Sequence, residues 1–156
     1  MINKKMEQAF NEQIQKEFYS SYLYLAMSVY ADSQNMNGIA HWLKVQHAEE
    51  KEHAEKLVSY LLERGGKVVF QAMPAPAAEY GSLIEMFEAV KEHEEYITKS
   101  INELYEAAGA EKDYAAQIFL QWFITEQVEE EASVNEVLDK MKLIGDKSSG
   151  IFYFDK

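Results

Sequence analysis

The chain contains no cysteine, which excludes disulfides, thiolate zinc sites and iron–sulfur clusters. Proline is nearly absent, and the two present, Pro74 and Pro76, fall in one place. The seven glycines are Gly38, Gly65, Gly66, Gly81, Gly109, Gly145 and Gly150. Long stretches between them carry no strong helix breaker. No apolar run reaches bilayer-spanning length. The opening MINKKMEQAF has no apolar run of signal-peptide length, so a cytoplasmic location is expected. Bases are scarce: 15 Lys and Arg stand against 27 Asp and Glu, for a formal charge of −12. That balance argues against nucleic acid or anionic membrane as the main partner and favours cations. With 47% hydrophobic residues in 156, the chain is long enough for one domain, residues 1–156, with a sizeable core.

Gly and Pro punctuate the chain into four blocks, roughly 4–34, 39–64, 83–108 and 112–144, plus a short tail. Each block spaces its apolar residues as a helix does. The first has Met6, Phe10, Ile14, Phe18, Tyr22, Leu25 and Val29, and the second has Ile39, Trp42, Leu43, Leu57, Val58 and Leu61. The third has Leu83, Phe87, Val90, Ile97, Ile101 and Leu104. The fourth has Leu120, Phe123, Ile124, Val134, Val137, Leu138 and Met141. At 1.5 Å per residue each helix is roughly 38 Å long or more. The expected fold is all-α, a four-helix bundle. Short breaks near Asn35–Gly38 and at Gly109 make antiparallel pairs of the first and second helices, and of the third and fourth. The segment from Gly65 to Ser82 could extend roughly 55 Å, enough to cross the whole bundle. The second and third helices are therefore expected to run parallel, joined by one long crossover.

Each stripe is interrupted near its middle by polar residues. Glu17 follows Ile14 by three and Phe10 by seven. Glu50 and His53, three apart in HAEEKEHAEK, lie between Leu43 and Leu57, and Glu94 lies midway between Phe87 and Ile101. Gln127 and Glu130 fill the gap between Phe123 and Val134. Carboxylates gathered in a low-dielectric core repel one another and lose hydration, at several kcal/mol per ion. None of the Lys or Arg residues takes a stripe position in the four mid-helix gaps. A bound metal pair offsets the charge, and bridging carboxylates with one imidazole suit iron or manganese. A solvated acidic face is the alternative for any one Glu; four at matching height favour the core. His41 and His47 point to other sides of the second helix than His53. His93 is rotated about 100° from Glu94 and is expected at solvent or a subunit contact. Tyr24, two turns after Glu17, and Trp122, near the site, fit either packing or a functional role.

With these residues laid out, the chain resembles a bacterial non-haem ferritin over nearly its whole length. NEQIQKEFYSSYLYL, HAEEKEHAEKL, KEHEEYIT and FLQWFITEQVEEE carry the likeness. Ferritin-like bundles are the standard example of the one-crossover topology. The resemblance implies a ferroxidase centre: one iron held by Glu17, Glu50 and His53, a second held by Glu94 and Glu130, Glu50 bridging, and Gln127 beside the second. It implies Fe(II) as substrate, oxidised by dioxygen or peroxide. The ferric product would be stored as mineral in a hollow shell of twenty-four subunits. Tyr24 and Trp122 match positions that assist electron transfer. Glu49, Glu126 and Glu129 match a third iron site towards the cavity, and Glu52 and Glu55 resemble acids that nucleate mineral.

The departures are as informative. Bacterioferritins and rubrerythrins carry a second E-x-x-H in the fourth helix, where this chain has Gln127-Val-Glu-Glu130. The second iron therefore lacks an imidazole and is expected to be held more loosely. Lys51 stands where a haem-ligating Met would follow the bridging Glu, so haem is not expected. Gln117 and Leu120 occupy positions where animal ferritins line a three-fold pore with acids. The tail, GIFYFDK, resembles the start of a short C-terminal fifth helix, with Ile151, Phe152 and Phe154 either packed on their own bundle or buried at a four-fold contact. The alternative function is a di-iron oxidase or peroxidase acting in detoxification without mineral storage.

Overall fold

Long runs without helix breakers fold as long helices, and a computed structural model describing residues 1–145 contains four of them. They are α1 (Lys4–Ser33), α2 (Asn37–Glu63), α3 (Leu83–Ala110) and α4 (Tyr114–Ile144). Three start on a side-chain cap that satisfies an otherwise orphaned N–H. Asn3 accepts from Met6 N at 2.8 Å, Ser82 from Glu85 N at 3.2 Å and Asp113 from Ala116 N at 3.1 Å. The turns lie beside the expected glycines. Asn35 (φ 61°) and Lys112 (φ 56°) supply the left-handed residues, while Gly38 and Gly109 lie inside helices. Gly109 lets Gln117 lie close: a Cβ there would stand 2.5 Å from the Gln117 amide nitrogen, and that side chain would have to move aside.

Contacts at the helix ends establish the topology. Ile2 N donates to Arg64 O at 3.0 Å and Ser28 Oγ to Ala40 O at 2.7 Å, so α1 and α2 are antiparallel. Lys142 pairs with Glu88 at 2.7 Å, joining the end of α4 to the start of α3. Tyr30 OH reaches Gly81 O at 2.6 Å, placing the start of α3 at the end of α1, beside the start of α2. Helices α2 and α3 are thus parallel, as their long connection requires. That connection runs along α1, where Asn11 Nδ2 donates to Lys67 O at 2.9 Å, Val69 N to Asn11 Oδ1 at 2.8 Å, and Gln15 Nε2 to Ala72 O at 3.2 Å. The expected fifth helix, with Ile151, Phe152 and Phe154, lies outside the described residues.

The α1 stripe departs from expectation beyond Ile14. Tyr22 and Val29 are exposed, and the buried line runs through Glu17, Leu23, Tyr24, Met27 and Ala31. Steps of four residues advance 40° past a full turn, so a run of such steps walks off the buried face.

The apolar core is split into two. One half, built on Leu23, Met27, Leu43, Phe87, Val90 and Leu138, lies towards the α1–α2 turn. The other, built on Met6, Phe10, Ile14, Leu57, Ile101 and Leu120, lies towards the chain start. Between them is a layer of buried polar groups. No helix among the described residues is long and apolar enough to cross a membrane.

Candidate metal centre

The polar layer consists of Glu17 from α1, Glu50 and His53 from α2, Glu94 from α3, and Gln127 and Glu130 from α4, all buried. Each occupies a core position of its helix, so folding the bundle forces all six together. Donor atoms of Glu17, Glu50 and His53 lie within 4.8 Å of one another, and so do donor atoms of Glu50, Glu94 and Glu130. Glu50 belongs to both groups. The three-residue step from Glu50 to His53 puts both on one helix face, with His53 Nδ1 3.3 Å from Glu50 Oε2.

Without a cation the layer favours protons. Burial pushes the Glu17 and Glu50 carboxyls well up, and facing charges add to it: Glu50 for Glu17, and Glu94 then Glu130 for Glu50. Burial also raises Glu94, opposed by hydrogen bonds from Tyr24 and Gln127. Glu130 is raised to about 8, by burial first and the Glu94 charge second. Glu17 Oε2, Glu50 Oε2 and His53 Nδ1 are buried without a hydrogen-bond partner. Such orphans are costly in a native interior. Carboxylate oxygens with a single imidazole suit a hard or borderline divalent cation such as Fe(II) or Mn(II). The donor set therefore fits a metal pair.

Tyr24, almost fully buried, donates its phenol to Glu94 Oε1 at 2.5 Å, and burial raises its pKa well above the usual phenol range. Gln127 Nε2 faces Glu94 Oε2 at 3.1 Å and Thr98 Oγ1 at 3.1 Å. Trp122 sits at the rim, its ring edge-on to His53 at 5.3 Å with Lys56 Nζ 3.4 Å above it. Glu49, Glu126, Glu129 and Glu130 line one cavity of about 250 Å³ between α2 and α4. Of these, Glu126 and Glu130 approach His53 closely enough to form a three-donor group; Glu49 and Glu129 enter no such group among the described residues. Glu52 and Glu55 are exposed, and Glu55 pairs with the exposed Lys51 at 3.7 Å.

The remaining candidates fall elsewhere. His41 is exposed, and His47 bonds Ser21 at 2.8 Å. His93 is half-buried, not at open solvent: its Nε2 lies 2.7 Å from Ser20 Oγ, and burial lowers its pKa to about 4. Helix α1 lies against the side of α3 that carries His93, where solvent or a subunit contact was expected. Leu120 is fully buried in its own bundle and Gln117 donates to Tyr105 O at 3.2 Å, so neither lines a pore with a carboxylate.

Two buried polar residues at the site were missed in the sequence. Gln13 donates from Nε2 to Glu17 Oε1 at 3.2 Å, and Ser100 Oγ donates to Gln13 Oε1 at 2.7 Å. Their signal was available: Gln13 is one turn before Glu17, beside Ile14, and Ser100 stands next to Ile101 on the α3 stripe. Each interrupts an apolar face as the acids do.

The profile of the ferritin-like domain family matches residues 7–144. A probable bacterial non-heme ferritin-like protein of Haemophilus influenzae is 46% identical over 156 residues, covering 100% of this chain and 94% of the relative. The bacterial non-heme ferritin of Bacteroides fragilis is 43% identical over 155 residues, covering 99% of this chain and 96% of the relative. Among solved structures, an open-pore ferritin from the hyperthermophilic archaeon Archaeoglobus fulgidus superposes with a TM-score of 0.97 at 45% identity, covering 99% of this chain and 96% of that one. Helix order and the crossover agree with this likeness, and the chain belongs to the ferritin family.

Proposed function

We propose that this member of the ferritin family of iron-storage proteins is a ferroxidase that oxidises Fe(II) within each subunit and passes the product to a mineral. The observation that carries this reading is the pair of donor groups sharing Glu50, with buried Glu17 and Glu50 oxygens that have no hydrogen-bond partner among the described residues. Glu17, Glu50 and His53 hold the first Fe(II), Glu94 and Glu130 hold the second, and Glu50 bridges. Four carboxylates balance two dications, so binding releases the protons that the acids retain in the metal-free site. Each iron gives up one electron; the two together reduce dioxygen to peroxide, or one peroxide to two waters. Two ferric ions carry two charges more than the four carboxylates neutralise, which favours hydrolysis and departure of the product. Tyr24, bonded to Glu94, and Trp122, against His53, stand where a further electron can be supplied.

Glu49, Glu126 and Glu129, which line one cavity with Glu130, hold a third iron on the side from which product leaves. Storage needs a closed shell, and a cage of twenty-four copies is the assembly proposed. The exposed Glu52 and Glu55 then offer oxygens to growing mineral. Stopped-flow absorbance after mixing with Fe(II) in air tests the centre. Glu50→Ala and His53→Ala should each abolish the fast oxidation phase with little change in helix content. Unchanged fast oxidation in both variants would sink the assignment.

A further inference from the structure

One carboxylate at each metal position, Glu17 at the first and Glu94 at the second, is held from behind by a glutamine, and each glutamine by a hydroxyl that ends on a charged side chain. Behind Glu17, Lys16 Nζ donates to Ser100 Oγ at 2.9 Å, Ser100 to Gln13 Oε1 at 2.7 Å, and Gln13 Nε2 to Glu17 Oε1 at 3.2 Å. Behind Glu94, Gln127 Nε2 donates to Glu94 Oε2 and to Thr98 Oγ1, both at 3.1 Å, and Thr98 donates to Glu131 Oε2 at 2.5 Å. Gln13, Ser100 and Gln127 are all at least nine-tenths buried.

The charged ends dictate how the amides face. An ammonium only donates, so Ser100 accepts from Lys16 and spends its own proton on the Gln13 carbonyl. That leaves the Gln13 nitrogen turned to Glu17. A carboxylate only accepts, so Thr98 spends its proton on Glu131 and accepts from the Gln127 nitrogen. Gln127 also donates to Glu94 O at 3.3 Å; a flipped amide would set its carbonyl against three acceptors. The ends are opposite in sign, yet both chains present an N–H to the metal-side carboxylate. The arms differ in one respect: the Gln13 carbonyl is occupied by Ser100, whereas the Gln127 carbonyl is not among the groups committed to this network.

We infer that Ser100 and Thr98 are positioning residues that tune the two metal positions separately, Ser100 acting on the first through Gln13 and Thr98 on the second through Gln127. The inference rests on the metal-pair reading above. Partners behind a ligand fix its orientation and basicity, and their loss typically costs 10- to 100-fold in metal affinity. Neither hydroxyl touches a metal-binding atom, so the effect of removing it must travel through the glutamine.

The test is site-resolved occupancy of Co(II), which does not turn over in air, from anomalous scattering of crystals equilibrated at graded concentrations. Thr98→Val should raise the Co(II) concentration for half-occupancy of the second position about ten-fold and leave the first within about two-fold. Ser100→Ala should do the reverse, and Thr98→Ser should restore wild-type values by returning the hydroxyl. General loosening of the bundle would weaken both positions together in both variants, and that result, or no change in either, would overturn the inference while leaving the metal pair intact. Wild-type crystals that take up Co(II) at neither position would overturn the metal-pair reading and this inference with it.

Discussion

Glu50 is the residue on which both halves of the site depend, since it belongs to the Glu17–His53 group and to the Glu94–Glu130 group. Buried among Glu17, Glu94 and Glu130, it is the acid whose loss should help the metal-free fold most. Glu50→Gln is expected to raise metal-free stability by about 1–3 kcal/mol at pH 8, because it removes an acid that must keep its proton in the folded state where the unfolded chain has released it. It should also abolish binding of the second metal; calorimetric melts and metal titration of the same protein check both. The acids also set a pH dependence. A carboxyl raised in the folded state keeps a proton that the unfolded chain has released, so its stabilisation is full below 4.5 and is lost as pH climbs through the folded value, about 8 for Glu130. His93 acts oppositely: lowered from 6.5 to about 4, its contribution is full above 6.5 and is lost on acidification. Above pH 6.5 the His93 contribution is complete, and the raised acids should make metal-free stability fall from pH 6.5 to 8, by roughly 1–2 kcal/mol for Glu130 alone. Saturating divalent cation should flatten that slope, and a metal-free protein equally stable at both pH values would contradict the raised acids. The acids were legible in the sequence because a charge in an apolar stripe is conspicuous within a single helix. Gln13 and Ser100 left a similar but uncharged mark on their stripes, while their roles and that of Thr98 appear only in pairings such as Ser100 to Gln13, 87 positions apart.

At the scale of elements, the join between α2 and α4 is the most exposed to test. Asp113 caps α4 through Ala116 N, and both its oxygens accept from the Arg64 guanidinium at 3.0 Å. Asp113→Ala removes a cap and a forked ion pair, for a loss of about 2 kcal/mol and a fall in melting midpoint of about 4–8 °C. An unchanged midpoint by circular dichroism would show that the join contributes nothing. Helix number, order and pairing were legible because long uninterrupted stripes and one long connection leave few alternatives. Two details were not. The α1 stripe continues through Leu23, Tyr24 and Met27, because several apolar residues compete for each step of that helix and only packing against α2 and α3 selects among them. Gly109 reads as a break and is instead the point where Gln117 folds back over α3 to reach Tyr105 O.

Across the whole molecule, two apolar half-cores clamp a polar layer that is unfavourable by itself. The fold holds the acids together, and on the function proposed above the cation that would offset them is the substrate. A surplus of acids, 27 against 15 bases, suits a protein that gathers cations. The family follows from stretches spread along the whole chain, but assembly depends on surfaces between copies, which no single-chain pattern displays. The most direct test of the central claim is the iron retained per chain after aerobic loading with excess Fe(II), measured on the size-exclusion peak. Soluble iron far beyond what the donor layer can ligate, eluting with a large assembly, is the expected result. About two irons per chain and no mineral would contradict storage and leave a di-iron oxidase.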